Sequence, residues 1–342
     1  MENKEKIYVG FITYGESTAK YLPYFLPSLE RQSFRDFKIL AVDNSEEREN
    51  ENARYIKNNF PEIGLRWPGK NLGFAKAFNL MIKEAAEAGA EYFLTLNPDM
   101  ILEPDMLKKM VEAAGKSENA GAVAPKILKW DFTANKKTSR IDSLGLALNK
   151  EHRFFDAHQG EIDKFDLIGE KEVFGFTGAA VLLNLKALED VAFDNGSRKE
   201  YFDELMFMYK EDCDLSYRLR LAGWKIILAP LAAAYHNRAV APRGGTNLKI
   251  ALNRKNKSRQ VKAWSFLNQW ILLCKLKDLP FSRRVKLATA WYQFKSLVFV
   301  SLFERYLFKE LITLWRLRGG IGRRKQRLKI RINPKEIEKF MQ

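Results

Sequence analysis

Short runs of β-forming residues alternate with amphipathic segments along the first 125 residues of this 342-residue chain. The strand-like runs are Ile7–Tyr14, Phe37–Asn44, Gly64–Trp67, Tyr92–Asn97 and Gly121–Pro125. The segments between them, around Tyr24–Gln32, Asn50–Asn59, Phe74–Ala88 and Asp105–Lys116, have the apolar spacing of helices. Because parallel neighbours are joined by crossover helices, this order predicts an α/β fold whose mainly parallel central sheet is flanked by helices.

The pattern changes twice after that. Val173–Asn184 reads as a further strand, a helix runs from about Asp212 to Ala222 and ends at Gly223, and WKIILAP supplies one more strand. Long helical stretches follow, most clearly Trp264–Leu276 and Trp291–Trp315. We therefore expect an α/β domain over residues 1–256 and a basic, aromatic-rich amphipathic helical tail over residues 257–342.

Charge is distributed unevenly between these two parts. Residues 249–342 contain 24 Lys and Arg against 5 Asp and Glu, a net charge of +19, whereas residues 1–248 carry a net charge of −3. Such a basic block suits nucleic acid, an anionic lipid surface or a polyanionic substrate. Lys295 or Glu304 interrupts the longest apolar stretches, so no transmembrane helix is predicted.

Composition also limits the cellular compartments in which the protein is expected. A hydrophobic content of 46% excludes a disordered chain. The two cysteines, Cys213 and Cys274, match no disulfide framework or zinc-ligand spacing, and the amino terminus lacks the features of a secretory signal. We expect a protein of the reducing cytoplasm.

Polar residues stand where predicted strands end. Asn97, Pro98 and Asp99 follow the fourth strand, at the sheet edge where open α/β folds bind ligands. Oxygen donors there suit Mg²⁺ or Mn²⁺ bound to a diphosphate. Asp43 ends the second strand and has the acceptors for a base or a ribose hydroxyl. Turn or helix capping is an alternative explanation for each carboxylate.

Four further features are candidates for the same site. Gly73 in NLGFAKAFN lets backbone approach a ligand at a helix amino end, EDCD at Glu211–Asp214 offers a base, and FTGAA at Phe176–Ala180 leaves room for a sugar. Trp224 and His236 could contact a sugar and a metal. In isolation, helix entry and strand packing explain Gly73 and FTGAA equally well. Helix capping, burial and a structural role are the better explanations for EDCD, Trp224 and His236 when each is taken alone.

Taken in order, VDN, NLGFAKAFN, LNPDM, GFTGAA, EDCDLSYRLRLAGW and YHN resemble the inverting family 2 glycosyltransferases with a GT-A fold. Within them the chain looks most like bacterial rhamnosyltransferase-type enzymes of cell-envelope polysaccharide synthesis. The resemblance covers about residues 5–256. It implies that a nucleoside diphosphate sugar and a divalent cation, Mg²⁺ or Mn²⁺, are bound.

The resemblance also implies residue roles. Asp212 would be the general base, supported by Glu211 and Asp214; Asp99 would bind the metal with His236; and Trp224 would contact the acceptor. The residues expected to line the nucleotide-sugar site are Thr13, Tyr14, Glu16, Asp43, Asn71, Gly73, Phe74, Asn97, Asp99 and Gly178. Two departures stand out, because Asn97 replaces the first Asp of the metal motif and Glu16 stands where relatives often have Asn.

The implied reaction is a single in-line displacement that inverts the anomeric carbon. A thymidine diphosphate rhamnose donor is the first expectation, with a UDP-sugar as the alternative and a glycan or polyprenyl-linked acceptor. The Q-x-x-R-W signature of processive members is missing, so one sugar is expected per encounter. The tail is expected to bind the inner face of the cell membrane peripherally, the alternative being that it packs on the catalytic domain.

Other functions fit less well. A sugar-phosphate nucleotidyltransferase would carry a Gly-rich loop with Arg and Lys after the first strand, where this chain has TYGESTAKYLPY. A nucleic-acid-binding protein could use the basic tail, but no recognised module is present, and no nucleic acid partner is expected. A Rossmann dehydrogenase would need G-x-G-x-x-G after the first strand.

Overall fold

The computed structural model describes residues 6–164, 167, 169–194, 196, 198–238 and 257–342. Its first elements are β1 (Ile7–Thr13), α1 (Gly15–Ala19), α2 (Leu22–Glu30), β2 (Phe37–Asp43), α3 (Glu51–Asn59), β3 (Gly64–Arg66), α4 (Gly73–Glu87), β4 (Tyr92–Leu96), β5 (Met100–Leu102) and α5 (Met106–Gly115). The strands and helices predicted over this part of the chain are therefore present, with bounds shifted by a few residues.

The second part of the α/β region contains more strands. These elements are β6 (Ala120–Asp131), β7 (Lys136–Ser143), β8 (Leu146–Leu148), β9 (Phe154–Asp156), β10 (Lys171–Glu172), β11 (Ala180–Asn184), α6 (Leu185–Val191), β12 (Phe193–Asp194), β13 (Lys199–Glu200), α7 (Glu211–Leu221) and β14 (Lys225–His236). The tail consists of α8 (Arg259–Leu276), α9 (Arg283–Phe303), a 3₁₀ turn (Arg305–Leu307), α10 (Phe308–Gln326) and a second 3₁₀ helix (Pro334–Phe340).

One ten-stranded sheet organises the α/β region. Its main order is β10-β14-β6-β11-β4-β1-β2-β3, with β5 paired to β14 and β7 paired to β6. β1 is parallel to β2 and β4, and β14 is parallel to β6. Since β11 is antiparallel to both β4 and β6, the strands β1 to β4, β6 and β14 share one direction. Their carboxyl ends therefore meet along one edge.

Helices cover both faces of this sheet, as the α/β fold prediction requires. On one face, Val9 and Phe11 of β1 pack with Leu22 and Phe25 of α2 in a buried cluster. On the other face, Tyr8 and Phe93 belong to a second cluster with Phe78 and Met81 of α4. The alternation of neighbouring residues between two buried clusters is what a central strand with two covered faces requires.

Two predicted elements differ from the structure. The strand expected over Val173–Asn184 is reduced to β11, because residues 173–179 turn beneath α7, where a side chain on Gly175 would come within 2.6 Å of Ser216 Oγ. The helix expected over Trp291–Trp315 is broken into α9 and α10. The helix breaks where two side chains turn into the protein. Glu304 is buried and pairs with Lys262 Nζ at 3.1 Å, and Leu307 is buried in a small apolar cluster.

The tail is attached to the α/β region through α8. Leu267, Ile271 and Leu272 of α8 share a buried cluster with Tyr217 and Leu221 of α7. The boundary predicted between residues 256 and 257 falls at the end of a stretch, 239–256, that lies outside the described residues. Among the helices in the described part of the chain, none combines the length and apolar character needed to cross a bilayer.

Candidate active site

The candidate site lies at the edge where the parallel strands end. Asn97 and Asp99 follow β4, and His236 is the last residue of β14. β5 pairs antiparallel with the end of β14, so that Met100 stands opposite His236. This pairing brings Asp99 beside His236 from a position 137 residues earlier in the chain.

His236 is held between two carboxylates. Its Nε2 lies 3.1 Å from Asp99 Oδ1 and its Nδ1 lies 2.8 Å from Asp142 Oδ2, so both ring nitrogens donate when the imidazole is charged. Burial disfavours that charge, but the two carboxylates outweigh it and raise the pKa of His236 to about 9. Asp142 is fully buried, whereas the side chain of Asp99 remains 23% exposed and faces the open edge.

Arg238 connects this group to the loop before β11. Its Nε lies 3.3 Å from Asp142 Oδ2, its Nη1 pairs with Asp156 Oδ2, and its Nη2 lies 3.4 Å from Thr177 Oγ1. Sequence reasoning missed both Arg238 and Asp142. Arg238 directly follows the YHN motif, so a search of residues beside that motif would have found it, whereas nothing in the sequence around Asp142 indicates its role.

The same loop contacts the start of α7. The backbone N–H of Gly178 donates to Asp212 Oδ2 at 3.3 Å, and Asp212 is half-buried at the beginning of the helix. There is no room for a side chain at Gly178, since a Cβ there would come within 2.9 Å of the Phe74 ring. The structure thus brings Asp99, His236 and Asp212 to one site, linked through Arg238 and the loop containing Thr177 and Gly178.

The other two acids of EDCD are buried. Glu211 is buried at the start of α7, and Asp214 is 1% exposed. Asp214 accepts a hydrogen bond from Arg218 Nε at 2.9 Å and pairs with Lys275 Nζ of α8. Asp214 is therefore turned into the protein, where it holds α7, and its supporting role for Asp212 stays a prediction.

The segment before Asp212 is strained. Tyr209 and Lys210 have φ angles of 74° and 71°, in the left-handed region that side chains with a Cβ rarely adopt. Asn268 of α8, which is buried, donates from Nδ2 to the carbonyl oxygens of Met208 at 2.9 Å and Tyr209 at 2.8 Å. A tail residue therefore fixes the backbone that presents Asp212.

NLGF packs against the same segment. Gly73 has φ +73°, and a side chain there would come within 2.4 Å of the carbonyl oxygen of Phe207. That oxygen accepts a hydrogen bond from Phe74 N at 2.9 Å, while the Phe207 ring stacks on Trp264 of α8 with centroids 4.9 Å apart. Gly73 is thus needed so that two site loops can touch.

Asp43 is placed differently from the prediction. It is fully buried, and its carboxylate accepts hydrogen bonds from Thr13 Oγ1 at 3.0 Å, Ser45 N at 3.1 Å and Asn50 Nδ2 at 2.6 Å. Its oxygens are thus turned inward to fix the loop after β2, and no exposed acceptor is left for a nucleotide base. Thr13 is also fully buried, as the donor in this network.

The remaining residues expected near the nucleotide are divided between surface and core. Tyr14 is 44% exposed and Glu16 is exposed at the start of α1. Asn71 is exposed, and its Oδ1 accepts a hydrogen bond from Gly73 N at 2.8 Å. Phe74 instead packs with the rings of Phe78 and Phe202, so its contribution is to the core.

Trp224 does not reach this site. It precedes Lys225, the first residue of β14, which pairs with the first residue of β6 at the opposite edge of the sheet. Its indole Nε1 donates to Asp190 Oδ2 at 2.8 Å, and its side chain packs where a Cβ on Gly121 would stand. The predicted acceptor contact is therefore corrected, because the whole length of α7 separates Trp224 from Asp212.

The donor atoms of Asp99 and His236 fit part of a metal shell. Asp99 Oδ1 and His236 Nε2 lie 3.1 Å apart and could occupy neighbouring positions around Mg²⁺ or Mn²⁺, provided that the cation displaces the proton on Nε2. Within the described ranges no cluster of three or more His, Cys, Asp or Glu side chains could hold a metal on its own. Phosphate oxygens and water would have to supply the other ligands.

Comparison with known proteins identifies the family of the chain. The model of "Glycosyl transferase family 2" matches residues 8–191. N-acetylglucosaminyl-diphospho-decaprenol L-rhamnosyltransferase of Mycobacterium tuberculosis (strain ATCC 25618 / H37Rv) is 27% identical over 245 residues, which are 67% of this chain and 75% of the relative.

Solved structures share the fold. A crystal structure of S. aureus TarS 1-349 aligns with 98% of this chain and 83% of its own, at a TM-score of 0.53 and 15% identity. One of GalNAc-T7 with UDP, GalNAc and Mn²⁺ aligns with 88% of this chain and 57% of its own, at a TM-score of 0.53 and 13% identity. The chain spans 37% of a longer TarS structure. Since the family model covers more than half of the sequence, the chain belongs to glycosyl transferase family 2 and is a glycosyltransferase with a GT-A fold.

Proposed function

We propose that this glycosyltransferase moves one sugar from a nucleoside diphosphate donor to a hydroxyl group of a glycan or polyprenyl-linked acceptor, with inversion of the anomeric carbon. The observation that carries the proposal is the meeting of Asp212 with the Asp99–His236 pair at one sheet edge. Gly178 contacts Asp212 on one side of this site, and Arg238 contacts Thr177 and Asp142 on the other.

The reaction assigns a proton transfer to Asp212. Its carboxylate would accept the proton of the acceptor hydroxyl as the oxygen attacks the anomeric carbon and the bond to the diphosphate breaks. Asp99 and His236 would hold a divalent cation, which neutralises charge on the departing diphosphate when bound. The nearby Arg238 guanidinium adds positive charge on the same side of the site. Because Asn97 replaces an acid, dependence on the metal is expected to be weak.

The mycobacterial relative supports our proposal for the donor and the acceptor. Its name describes L-rhamnosyl transfer to N-acetylglucosaminyl-diphospho-decaprenol. We take thymidine diphosphate rhamnose as the first candidate donor and a UDP-sugar as the second. With a polyprenyl-linked acceptor, the enzyme would act in the cytoplasm, bound peripherally at the inner face of the cell membrane. Its role would then be the synthesis of cell-envelope polysaccharide.

Substitution of Asp212 tests this mechanism directly. Asp212→Asn keeps the size of the side chain but removes the base, so kcat for sugar transfer should fall by about 10² to 10⁴ while donor binding is retained. A thermal-shift screen of nucleoside diphosphate sugars with and without Mn²⁺ selects the donor, and transfer is then followed by release of the nucleoside diphosphate.

Asp36→Asn is the matched control, since Asp36 is exposed before β2 at the opposite edge of the sheet. Its kcat should equal that of the parent. Undiminished turnover by Asp212→Asn would show that another group is the base, and the absence of binding by every sugar nucleotide would overturn the donor class.

A further inference from the structure

The outer face of α9 is an exposed apolar stripe. Leu287, Trp291, Phe294, Val298 and Leu302 are 42% to 71% exposed. They follow one another at intervals of three or four residues and therefore lie on one side of the helix. The opposite side holds the buried residues Val285, Gln293 and Val300 and faces the protein.

The stripe continues beyond the break in the helix. Phe308, Ile312 and Trp315 of α10 are 38% to 62% exposed at the same three- and four-residue spacing. The 3₁₀ turn that joins the helices is fixed by buried Leu307, so the two exposed stripes follow directly on each other in the chain. Exposed apolar stripes of this length on two consecutive helices indicate an interaction site.

Positive charge surrounds this stripe. Residues 283–327 contain twelve Lys and Arg and two acids, and ten of the twelve are exposed. Both acids are withdrawn from the surface, because the side chain of Glu304 is 8% exposed and paired with Lys262, and that of Glu310 is 14% exposed. The surface presented to a partner is therefore apolar with a cationic margin.

Two of the basic side chains lie over the exposed indoles. Lys295 Nζ is 5.6 Å from the ring centre of Trp291, and the Arg318 guanidinium carbon is 3.9 Å from that of Trp315. In each pair, a cation and an amphipathic ring lie side by side on the helix surface. This is the arrangement of side chains that occupy the headgroup layer of a bilayer, where rings enter the acyl boundary and cations meet phosphate.

We infer that the outer face of α9, extended by Phe308, Ile312 and Trp315, docks on the surface of an anionic lipid bilayer. This inference deepens the proposed function, on which it rests for the lipid-linked acceptor, by naming the surface that meets the membrane. A second copy of the chain fits less well, because pairing of the same faces would bring two cationic margins together.

Vesicle binding by the full chain tests the inference. The parent should sediment with vesicles that contain phosphatidylglycerol, less with phosphatidylcholine alone, and less again as salt rises. Trp291→Ser combined with Phe294→Ser should largely abolish sedimentation. Lys295→Glu combined with Arg316→Glu should lower the partition coefficient by at least about fivefold for each basic side chain lost.

Matched controls are available on the α/β region. Leu231→Ser removes a comparably exposed apolar side chain, at 57% exposure on β14, and Lys76→Glu reverses an exposed charge on α4. Both should sediment like the parent. Equal sedimentation of parent and the double Ser variant overturns the inference, as does a parent that ignores anionic vesicles. A dimer in vesicle-free solution that the double Ser variant dissociates would make a second copy the occupant instead.

Donor binding separates this result from the proposed function. The stripe contains none of the residues assigned to the active site, so the double Ser variant should keep the thermal shift with its sugar nucleotide. Failure of the parent to bind any sugar nucleotide would remove the proposed reaction without changing the vesicle result. A parent that binds a sugar nucleotide but does not sediment with anionic vesicles would remove the docking surface and leave the proposed reaction standing.

Discussion

At the scale of single residues, Asn268 bears on catalysis without touching the candidate site. Its amide satisfies two carbonyl oxygens of a segment in which Tyr209 and Lys210 both adopt left-handed backbone. Each such residue costs of the order of 1 kcal/mol and persists only where its surroundings enforce it. Asn268 is therefore a positioning residue for Asp212, acting through residues 208–210.

Substitutions of Asn268 should separate turnover from binding. Asn268→Ala and the isosteric Asn268→Asp both remove the donor group, and we expect kcat to fall about tenfold or more because Asp212 is misplaced. KM for the sugar nucleotide should change little. Steady-state kinetics measures this split, with exposed Gln260→Ala on the same helix as the control. A rise in KM at constant kcat would contradict the positioning role.

The positions of some candidate site residues in the fold could be predicted from the sequence more easily than those of others, for a physical reason. Asp99, Asp212 and His236 stand at the ends of elements, so the period of each element already places them at the sheet edge. Asp142 lies 94 residues before the histidine that it contacts, and only the folded chain reveals the pair. The orientation of Asp43 depends on four hydrogen-bond donors from Thr13, Ser45 and Asn50, which no motif specifies.

At the scale of elements, one buried lysine joins the tail to α7, the helix that contains Asp212. Lys275 of α8 is 1% exposed, and its Nζ contacts Asp203 Oδ2 at 2.6 Å and also Asp214 of α7. Arg218 and Arg324 complete this network, and the nearby cations hold the pKa of Asp203 below its usual range although burial acts to raise it. The tail is thereby tied to α7 through charge as well as apolar contact.

Lys275→Met should destabilise the protein. The two carboxylates would remain buried with less compensation, and the free energy of unfolding should fall by about 3 kcal/mol. Urea denaturation measures the change, and Lys277→Met, which alters an exposed lysine two positions later, provides the control. If both variants unfold at the parent's midpoint, the network contributes nothing to stability.

Element prediction succeeded where periodicity was long and regular. The order of β1 to α5 followed from alternating runs, since each element buries one side or both against its neighbours. The break between α9 and α10 was missed because a buried Glu304–Lys262 pair, rather than Gly or Pro, ends the helix. The same sequence pattern predicted an amphipathic tail but not that α8 would supply contacts to the catalytic loop.

At the scale of the whole molecule, acid should weaken the fold through His152. This residue is buried with its Nδ1 2.5 Å from Tyr217 Oη, and burial lowers its pKa from 6.5 to about 4. The unfolded chain gains a proton below pH 6.5 that the folded chain does not accept until about pH 4. Its contribution to stability is thus present above pH 6.5 and is lost as the pH falls toward 4.

The difference between parent and His152→Gln isolates this effect. Gln keeps an acceptor for the Tyr217 hydroxyl but does not titrate, so the loss in unfolding free energy between pH 7.5 and pH 5 should be smaller by about 2 kcal/mol than in the parent. Urea midpoints at pH 7.5, 6 and 5 provide the measurement. Exposed His158→Gln should follow the parent, and an unchanged pH dependence in His152→Gln would exclude the assignment.

The contact between Asn268 of α8 and residues 208–210 also has a consequence for biosynthesis of the protein. A ribosome makes the catalytic aspartate well before it makes the asparagine that sets the loop in front of it. An unfinished chain would carry every acid of the site and yet hold its base in the wrong place. The chain would then not consume its sugar nucleotide until translation had passed α8. Chains that end before α8 would have little transferase activity.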